Sequence, residues 1–239
     1  MRKWVLISAA LAFISLLTAL SYCIQLLDPV DEFIDPRNGI ILIDPGHGGI
    51  DGGTNKDGIL EKEINLSIAL KMRTILEKNG YTVLMTREDD ISLEDLDYTE
   101  QSRHRRDLKA RANMINSSNA QLFVSIHVNC NLKKPTTNGS IVFFGDRFPE
   151  NEMIAMTIQR KLNLITLDSG NRMIHDPREA GFYILDNAKI PGVIVETAFI
   201  SNSVESKLLT EDDFRERLAS AICNGIIDYL VRQNQVIMK

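Results

Sequence analysis

The chain has 239 residues, of which 44% are hydrophobic and 25% are charged, and its net charge is −5. This composition is typical of one globular domain with a sizeable core. The negative net charge argues against nucleic-acid binding. The three cysteines, Cys23, Cys130 and Cys223, have no CxxC spacing, so they indicate neither a zinc knuckle nor a redox pair. The sequence does not decide whether Cys130 and Cys223 form a disulfide.

Residues 1–27 have the character of a membrane segment. Arg2 and Lys3 precede Trp4–Leu27, a stretch of 24 residues without a charge, which is long enough to cross a bilayer. The positive flank should stay in the cytoplasm, which places the rest of the chain outside it, membrane-anchored or secreted. We interpret residues 1–27 as a signal anchor, with a cleaved signal peptide as the alternative. Residues 28–38 are polar and contain proline, so they form a linker to a domain over residues 39–239.

The stretch Ile40–Gly53, read IILIDPGHGGIDGG, begins this domain. Its apolar start predicts a buried strand, and its glycine-rich end predicts a loop that presents His47. Chemistry in α/β folds is placed at such strand ends, and glycine lets the backbone approach a ligand closely. Taken alone, the stretch does not distinguish a site from a tight turn with a surface histidine.

The next elements predict a parallel crossover. Apolar residues recur at helical spacing over Glu61–Lys78, the Asn79-Gly80 pair ends that helix, and Tyr81–Met85 reads as a strand. Glu61 lies in the first turn of the helix, beside the strand end that carries His47. A carboxylate stabilised by the helix dipole and a site residue are equally good interpretations of Glu61.

The rest of the chain continues the alternation of helices and strands. Seven acidic residues in Thr86–Gln101 predict a solvated loop, with binding to a partner or a cation as the alternative, and Ile165–Gly181 reads as a loop beside the site. Thr210 and Asp213 have the spacing of a capping box before the final helix. The other predicted elements are helices over Arg103–Asn116 and Asn151–Asn163, a final helix from Thr210, and strands over Gln121–Val128, Ser140–Phe144, Phe182–Leu185 and Val193–Thr197.

Four side chains converge on one edge of the predicted sheet: His47, Glu61, His127 and Glu196. Two imidazoles and one carboxylate are the ligand set of a catalytic zinc that keeps one position open for water. A second glutamate would serve such a site as general base. A serine hydrolase fits less well because no GxSxG elbow is present, and a cysteine nucleophile fits poorly because Cys130 has neither a helix N-terminus nor a basic neighbour to activate it.

Four motifs then carry a family resemblance: IDPGHGGIDGG at 43–53, LEKEINL at 60–66, FVSIHVN at 123–129 and PGVIVETAFISN at 191–202. In this order they resemble the zinc-dependent N-acetylmuramoyl-L-alanine amidases of bacterial cell walls. The resemblance implies that His47, Glu61 and His127 bind Zn²⁺ and that Glu196 is the catalytic residue. It also implies a single α/β domain, with a twisted, mostly parallel sheet and helices on both faces.

Two arginines and one glycine complete the comparison with the family pattern. Arg87 and Arg111 match the pattern, and we interpret both as structural or peripheral. Gly192 stands where the family often has alanine or serine, a departure that should not affect the chemistry.

The resemblance also predicts the substrate and the partners. The implied reaction is hydrolysis of the amide between muramic acid and L-alanine in peptidoglycan. A membrane segment followed by a catalytic domain without peptidoglycan-binding repeats most resembles the family members of sporulation and germination. Those amidases remove stem peptides in the spore cortex on the way to muramic δ-lactam. The membrane and an accessory protein are further expected partners, with Glu88–Glu100 as a candidate docking surface. A catalytically silent wall-binding module and a zinc peptidase acting within the stem peptide are the alternatives.

Overall fold

The structure is a computed structural model that describes residues 39–167 and 170–237, together with Thr18. The predicted linker, and the predicted membrane segment apart from Thr18, lie outside the described residues. Among the helices of the described part, none combines the length and apolar character needed to cross a membrane.

The described chain alternates strands and helices, as the sequence predicts. The described part also contains a 3₁₀ turn, Glu94–Leu96, between the strand at Thr82–Met85 and the helix at Arg103–Ser117. The strands are β1 (Ile40–Pro45), β2 (Asn55–Lys56), β3 (Ile59–Leu60), β4 (Thr82–Met85), β5 (Leu122–Asn129), β6 (Ile141–Phe144), β7 (Thr166–Leu167), β8 (Gly170–Asn171), β9 (Arg178–Glu179) and β10 (Gly192–Phe199). The helices are α1 (Glu61–Lys78), α2 (Arg103–Ser117), α3 (Glu150–Leu162), α4 (Tyr183–Asn187), α5 (Ser203–Leu208) and α6 (Asp212–Ile237).

Six of these strands form one mixed sheet in the order β4-β1-β5-β10-β6-β9. The strands β4, β1, β5 and β10 run parallel, β6 is antiparallel to β10, and β9 is parallel to β6. The carboxyl ends of β1, β5 and β10 therefore meet at one edge of the sheet. In the register of β5 and β10, Glu196 lies opposite His127.

Hydrophobic residues are buried on both faces of the sheet. One face and the apolar stripes of α1, α3 and α6 form the larger core, in which Ile43, Val124 and Val195 have no exposed surface. The other face contributes Leu42 and Phe123 to a smaller core that α2 and α4 cover. Alternate residues of the same strand thus serve opposite cores, because side chains of a strand point alternately to its two faces. The predicted fold class, a mostly parallel sheet with helices on both faces, is confirmed.

The predicted strand over Phe182–Leu185 is wrong. The backbone closes local hydrogen bonds instead, from Asp186 N to Phe182 O and from Ala188 N to Ile184 O, each 2.9 Å long. Ile184 and Leu185 are neighbours in sequence and are both buried in the smaller core, which a helical turn permits and a half-exposed strand does not. The short segment therefore forms α4.

The predicted cap at Thr210 is also wrong. Its hydroxyl donates a 2.6 Å hydrogen bond to Lys207 O, so it ends α5, while α6 begins at Asp212.

The disulfide that the sequence leaves undecided is not formed, since Cys130 and Cys223 are both free. Cys223 is fully buried in the larger core.

The acidic loop Thr86–Gln101 is more tightly held than its charge predicts. Asp90 accepts hydrogen bonds from Gly49 N at 2.8 Å and Lys62 Nζ at 2.6 Å. The side chains of Leu93 and Asp97 are buried. Part of the acidic charge of this loop is therefore compensated within the domain.

Candidate metal centre

The four predicted site residues come together at the carboxyl edge of the sheet. His47 follows β1, Glu61 begins α1, His127 lies near the end of β5, and Glu196 lies near the end of β10. All four line one pocket of about 480 Å³. The topology explains this convergence, because adjacent parallel strands place their carboxyl ends side by side.

Glu61 is the centre of the cluster. Its Oε1 lies 3.1 Å from His127 Nδ1 and 3.3 Å from His47 Nε2. One donor atom from each of these three side chains lies within 4.8 Å of the other two. The arrangement brings two imidazole nitrogens and one carboxylate to a common point.

The backbone holds the carboxylate of Glu61 in place. Thr54 N donates to Oε2 at 2.8 Å and Val128 N donates to Oε1 at 3.1 Å. Burial opposes ionisation, but the hydrogen bonds and charges of His127 and His47 keep the pKa of Glu61 far below its usual value. Glu61 is therefore an anion whose orientation is fixed by its neighbours. A carboxylate stabilised only by the helix dipole would not need these contacts.

His47 is fixed through both its backbone and its ring. Its backbone has φ of 62°, and its Nδ1 lies 2.8 Å from Asp51 Oδ2. Asp51 is itself positioned, because its Oδ1 accepts a 3.0 Å hydrogen bond from Gly53 N. Burial alone would lower the pKa of His47, but hydrogen bonds and charges from Glu61 and Asp51 raise it to about 9. Nε2 is left as the ring nitrogen that faces the cluster.

Asp51 is a site residue that the sequence interpretation missed. The signal was present, since a carboxylate four residues after His47 lies in a glycine-rich turn. Reciprocal hydrogen bonds between the backbones of Gly48 and Asp51, 2.9 and 3.0 Å long, close that turn and bring the two side chains together.

Two glycines of the loop leave room for the cluster itself. A Cβ on Gly46 would lie 2.2 Å from Cε1 of His127, and a Cβ on Gly53 would lie 2.7 Å from Oε2 of Glu61. Gly53 also has φ of 65°, which side chains disfavour. These glycines therefore permit close packing against His127 and Glu61.

Arg87 and Arg111 lie beneath the His47 loop and bind its carbonyl groups. Arg87 donates from Nε to Pro45 O at 3.0 Å and from Nη2 to Gly46 O at 3.0 Å. Arg111 donates from Nη1 to Pro45 O at 2.8 Å and from Nη2 to His47 O at 2.6 Å. Both side chains are buried, so their role is structural, but they act directly on the loop that carries His47.

Glu196 presents an unused acceptor to the pocket. Its Oε2 is buried and has no hydrogen-bond partner within the part of the chain that the structure describes. Burial raises the pKa of Glu196 to about 7, partly offset by the charge of His127. A buried acceptor of this kind is suited to receive a proton from a small molecule in the pocket.

The sequence pattern of the family described as N-acetylmuramoyl-L-alanine amidase (Amidase_3) matches residues 41–228. The chain belongs to this family. The predicted family and the predicted enzyme class are thereby confirmed.

Individual relatives of this amidase cover most of the chain. The germination-specific N-acetylmuramoyl-L-alanine amidase of Bacillus subtilis (strain 168) is 35% identical over 235 residues, which is 97% of this chain and 96% of that protein. The CwlD amidase from Clostridioides difficile, solved in complex with the GerS lipoprotein, has a TM-score of 0.72 and 38% identity and covers 81% of this chain and 99% of that chain. An N-acetylmuramoyl-L-alanine amidase from Clostridium difficile 630 has a TM-score of 0.69 and 27% identity, covering 81% and 97%.

The segment Ile165–Gly181, predicted as a loop beside the site, contributes none of its described residues to the lining of the pocket. Arg172 is buried and donates from Nε to Glu205 Oε1 at 2.7 Å, and His175 Nε2 lies 2.8 Å from Asn138 O. Arg178 belongs to the exposed strand β9. In their place, His104 of α2 lines the pocket, a residue that the sequence interpretation did not single out.

The donor set of the amidase fits zinc. Two imidazole nitrogens and one carboxylate oxygen are the protein ligands of catalytic zinc sites, which leave one position for water or substrate. The buried Oε2 of Glu196 faces the same pocket and needs a proton donor there. The roles of the four residues as ligands and base stay a prediction.

Proposed function

We propose that this amidase is a zinc-dependent hydrolase that cuts the amide bond between N-acetylmuramic acid and L-alanine in peptidoglycan. The observation that carries the proposal is the convergence of donor atoms from His47, Glu61 and His127 within 4.8 Å, in a pocket that Glu196 also lines. A wall-binding module would not need this combination of a metal-ligand set and an unpaired buried acceptor.

In this proposal His47, Glu61 and His127 hold the zinc, His47 through Nε2 because Asp51 engages its Nδ1. Zinc, when bound, polarises the amide carbonyl and lowers the pKa of water to ~7. Glu196 takes a proton from the attacking water on Oε2. It then delivers that proton to the amide nitrogen of L-alanine as the C–N bond breaks.

We also propose that the substrate is the peptidoglycan of the spore cortex. Removal of the stem peptide exposes the lactyl carboxyl of muramic acid, the group from which muramic δ-lactam is made. Support comes from the 35% identity, over nearly the full length of both chains, to an amidase named as germination-specific.

Residues 1–27 are proposed to anchor the enzyme to the membrane, residues 28–38 to link the anchor to the domain, and residues 39–239 to form the zinc amidase domain. Peptidoglycan lies outside the cytoplasm, so the domain must act there. An accessory protein is a further proposed partner, supported by the structure of the CwlD relative in complex with the GerS lipoprotein.

The proposal is tested by digesting purified peptidoglycan and measuring the masses of the products. We expect intact stem peptides that begin with L-alanine and bare glycan strands. Shortened peptides would instead show a peptidase, and unchanged peptidoglycan would show a silent module.

Measuring the zinc content of single variants distinguishes the three proposed zinc ligands from the proposed general base. His47→Ala, Glu61→Ala and His127→Ala should each lower zinc content and abolish hydrolysis, because a three-ligand site that loses one ligand loses most of its affinity. Glu196→Gln should keep its zinc and its fold while hydrolysis falls by ~10²-fold or more. Loss of zinc from Glu196→Gln would make Glu196 a ligand and exchange its role with that of Glu61.

A further inference from the structure

A second cleft adjoins the metal centre, between the His47 loop and the N-terminus of α2. Its volume is about 240 Å³. Asp51 and His104 line both this cleft and the metal pocket, so the two spaces are neighbours. The remaining lining residues are Ile50, Ser92, Glu94, Arg103 and Asp107.

The helix that forms one wall begins with four consecutive basic residues, Arg103 to Arg106, read RHRR, and has no acidic residue in its first turn. A helix N-terminus disfavours cations, so this sequence costs stability at that position. Arg106 has a structural role, because it donates to the carbonyls of Glu94, Glu100 and Gln101. Its role does not explain the other basic residues.

Arg103 and His104 have no comparable role. Both are exposed, and within the described part of the chain neither forms a hydrogen bond or an ion pair. Two of the acidic groups in the cleft are already engaged: Asp107 pairs with Arg111, and Asp51 binds His47. Arg103 therefore lines the cleft as a cation that has no ion-pair partner among the described residues and is free to bind a ligand.

We propose that this cleft binds the stem peptide on the leaving side of the scissile amide, and that Arg103 binds the free carboxylate of the residue after L-alanine. The inference rests on the proposed function. When that residue is a glutamate linked through its side chain, its α-carboxylate is free. Two residues span at most about 7 Å, so this carboxylate is held close to the reacting amide, and a guanidinium fork matches a carboxylate in two parallel hydrogen bonds.

Glu94 also lines the cleft, and its side chain forms no ion pair among the described residues. The cleft thus offers one unpaired cation and one unpaired anion. This mixed charge suits a peptide that carries both carboxylate and amino groups. It suits a glycan strand less well when the lactyl groups of that strand are in amide linkage, because such a strand has no charge to match either group.

The test compares two muramoyl-peptide substrates that differ only at the residue after L-alanine, which is D-glutamate in one and D-isoglutamine in the other. The wild-type enzyme should have the lower KM for the free carboxylate. Arg103→Gln should raise that KM about ten-fold, the scale of a lost charge-assisted hydrogen bond, with kcat and zinc content unchanged. It should leave the KM for the amidated substrate unchanged.

The matched control is Arg105→Gln, because Arg105 lies in the same helical turn, is exposed and does not line the cleft. We expect less than about a two-fold change with either substrate, since exposed charges act weakly at a distance. Equal KM values for both substrates in wild type and in Arg103→Gln would overturn the cleft proposal and leave the amidase proposal intact. Failure of the wild-type enzyme to release either peptide would overturn both.

A binding measurement checks the same contact without turnover. In the Glu196→Gln enzyme, the free-carboxylate substrate should bind about ten-fold more tightly than the amidated one by calorimetry. The double variant with Arg103→Gln should abolish that difference. Its persistence would assign recognition of the carboxylate to another residue.

Discussion

Asp51 determines which way the ring of His47 faces. A carboxylate on the second nitrogen of a metal-binding imidazole fixes its tautomer and orientation, and loss of such a partner typically costs 10- to 100-fold in metal affinity. Asp51→Asn keeps the size of the side chain but removes its charge. We expect about ten-fold weaker zinc binding in chelator competition, with an unchanged circular dichroism spectrum. Asp57→Asn, an exposed change in the β2–β3 turn, is the control, and equal zinc affinity in the two variants would contradict this role.

The absence of a side chain at Gly46 is also needed to position the ring of His127. A Cβ at this position would lie 2.2 Å from Cε1 of His127, so the ring must leave its place beside Glu61. Gly46→Ala should therefore lower zinc content and hydrolysis together, while most of the fold is retained. Gly52→Ala in the same loop is the matched control, because its Cβ would meet only Cδ2 of Leu60, at 3.3 Å. A fully zinc-loaded, active Gly46→Ala enzyme would show that His127 is not needed where it lies.

At the scale of elements, a buried ion pair joins β1 to α2. Asp44 accepts hydrogen bonds from Arg111 at 2.7 Å and from Ser125 and Thr86 at 2.6 Å each, and it has no exposed surface. Burial opposes its ionisation, but the charge of Arg111 and these three donors lower the pKa of Asp44. The pair holds the helix against the strand that leads to His47.

This pair predicts a pH dependence of stability. Because the pKa of Asp44 is lower in the folded chain than in the unfolded one, its stabilisation is present above about pH 4 and is lost as the pH falls through the folded value. Asp44→Asn should lower the free energy of unfolding at pH 7 by about 1.5–3 kcal/mol, the scale of a hydrogen bond to a charged group, because it removes one of the two carboxylates that pair with the buried Arg111. In urea titrations the difference from wild type should shrink below pH 4. A constant difference would contradict the assignment, and exposed Asp95→Asn should have little effect throughout.

For the whole molecule, the proposed anchor confines the enzyme to substrate near its membrane. Residues 28–38 span at most about 40 Å when fully extended. A fragment of residues 39–239 should therefore be folded and zinc-competent, yet fail to replace the full-length protein when exported without residues 1–27. Germination of spores from the complemented strain is the measurement. Full complementation by the freely secreted fragment would show that tethering is unnecessary.

The overall architecture, and the convergence of the four candidate site residues on one pocket, could be predicted from the sequence because both leave local patterns. The apolar run of β1, the helical spacing of α1 and the order of strands and helices predict the sheet, and its parallel strand ends bring His47, His127 and Glu196 together. The segment Phe182–Leu185 departs from its predicted strand because a short apolar run fits a strand or a buried helical turn equally well.

The supporting contacts of the site could not be read in this way. Arg111 binds His47 O from 64 residues away, and Arg87 binds Lys62 O across 25 residues. Such hydrogen bonds to carbonyl groups leave no mark in residue spacing, because every residue has a carbonyl. The second cleft was missed for a related reason, since only the fold places the start of α2 beside Asp51.

The lengths of the strands bear on how the protein behaves when it is concentrated. The two edges of the six-stranded sheet are β4 and β9, with four and two residues, whereas β1, β5 and β10, which lead to the metal centre, have six, eight and eight and lie inside. A short edge offers few unpaired N–H and C=O groups to the strand of another molecule. Aggregation by edge-to-edge strand addition is thereby limited, and the long hydrophobic strands that would template it are withheld from neighbouring molecules.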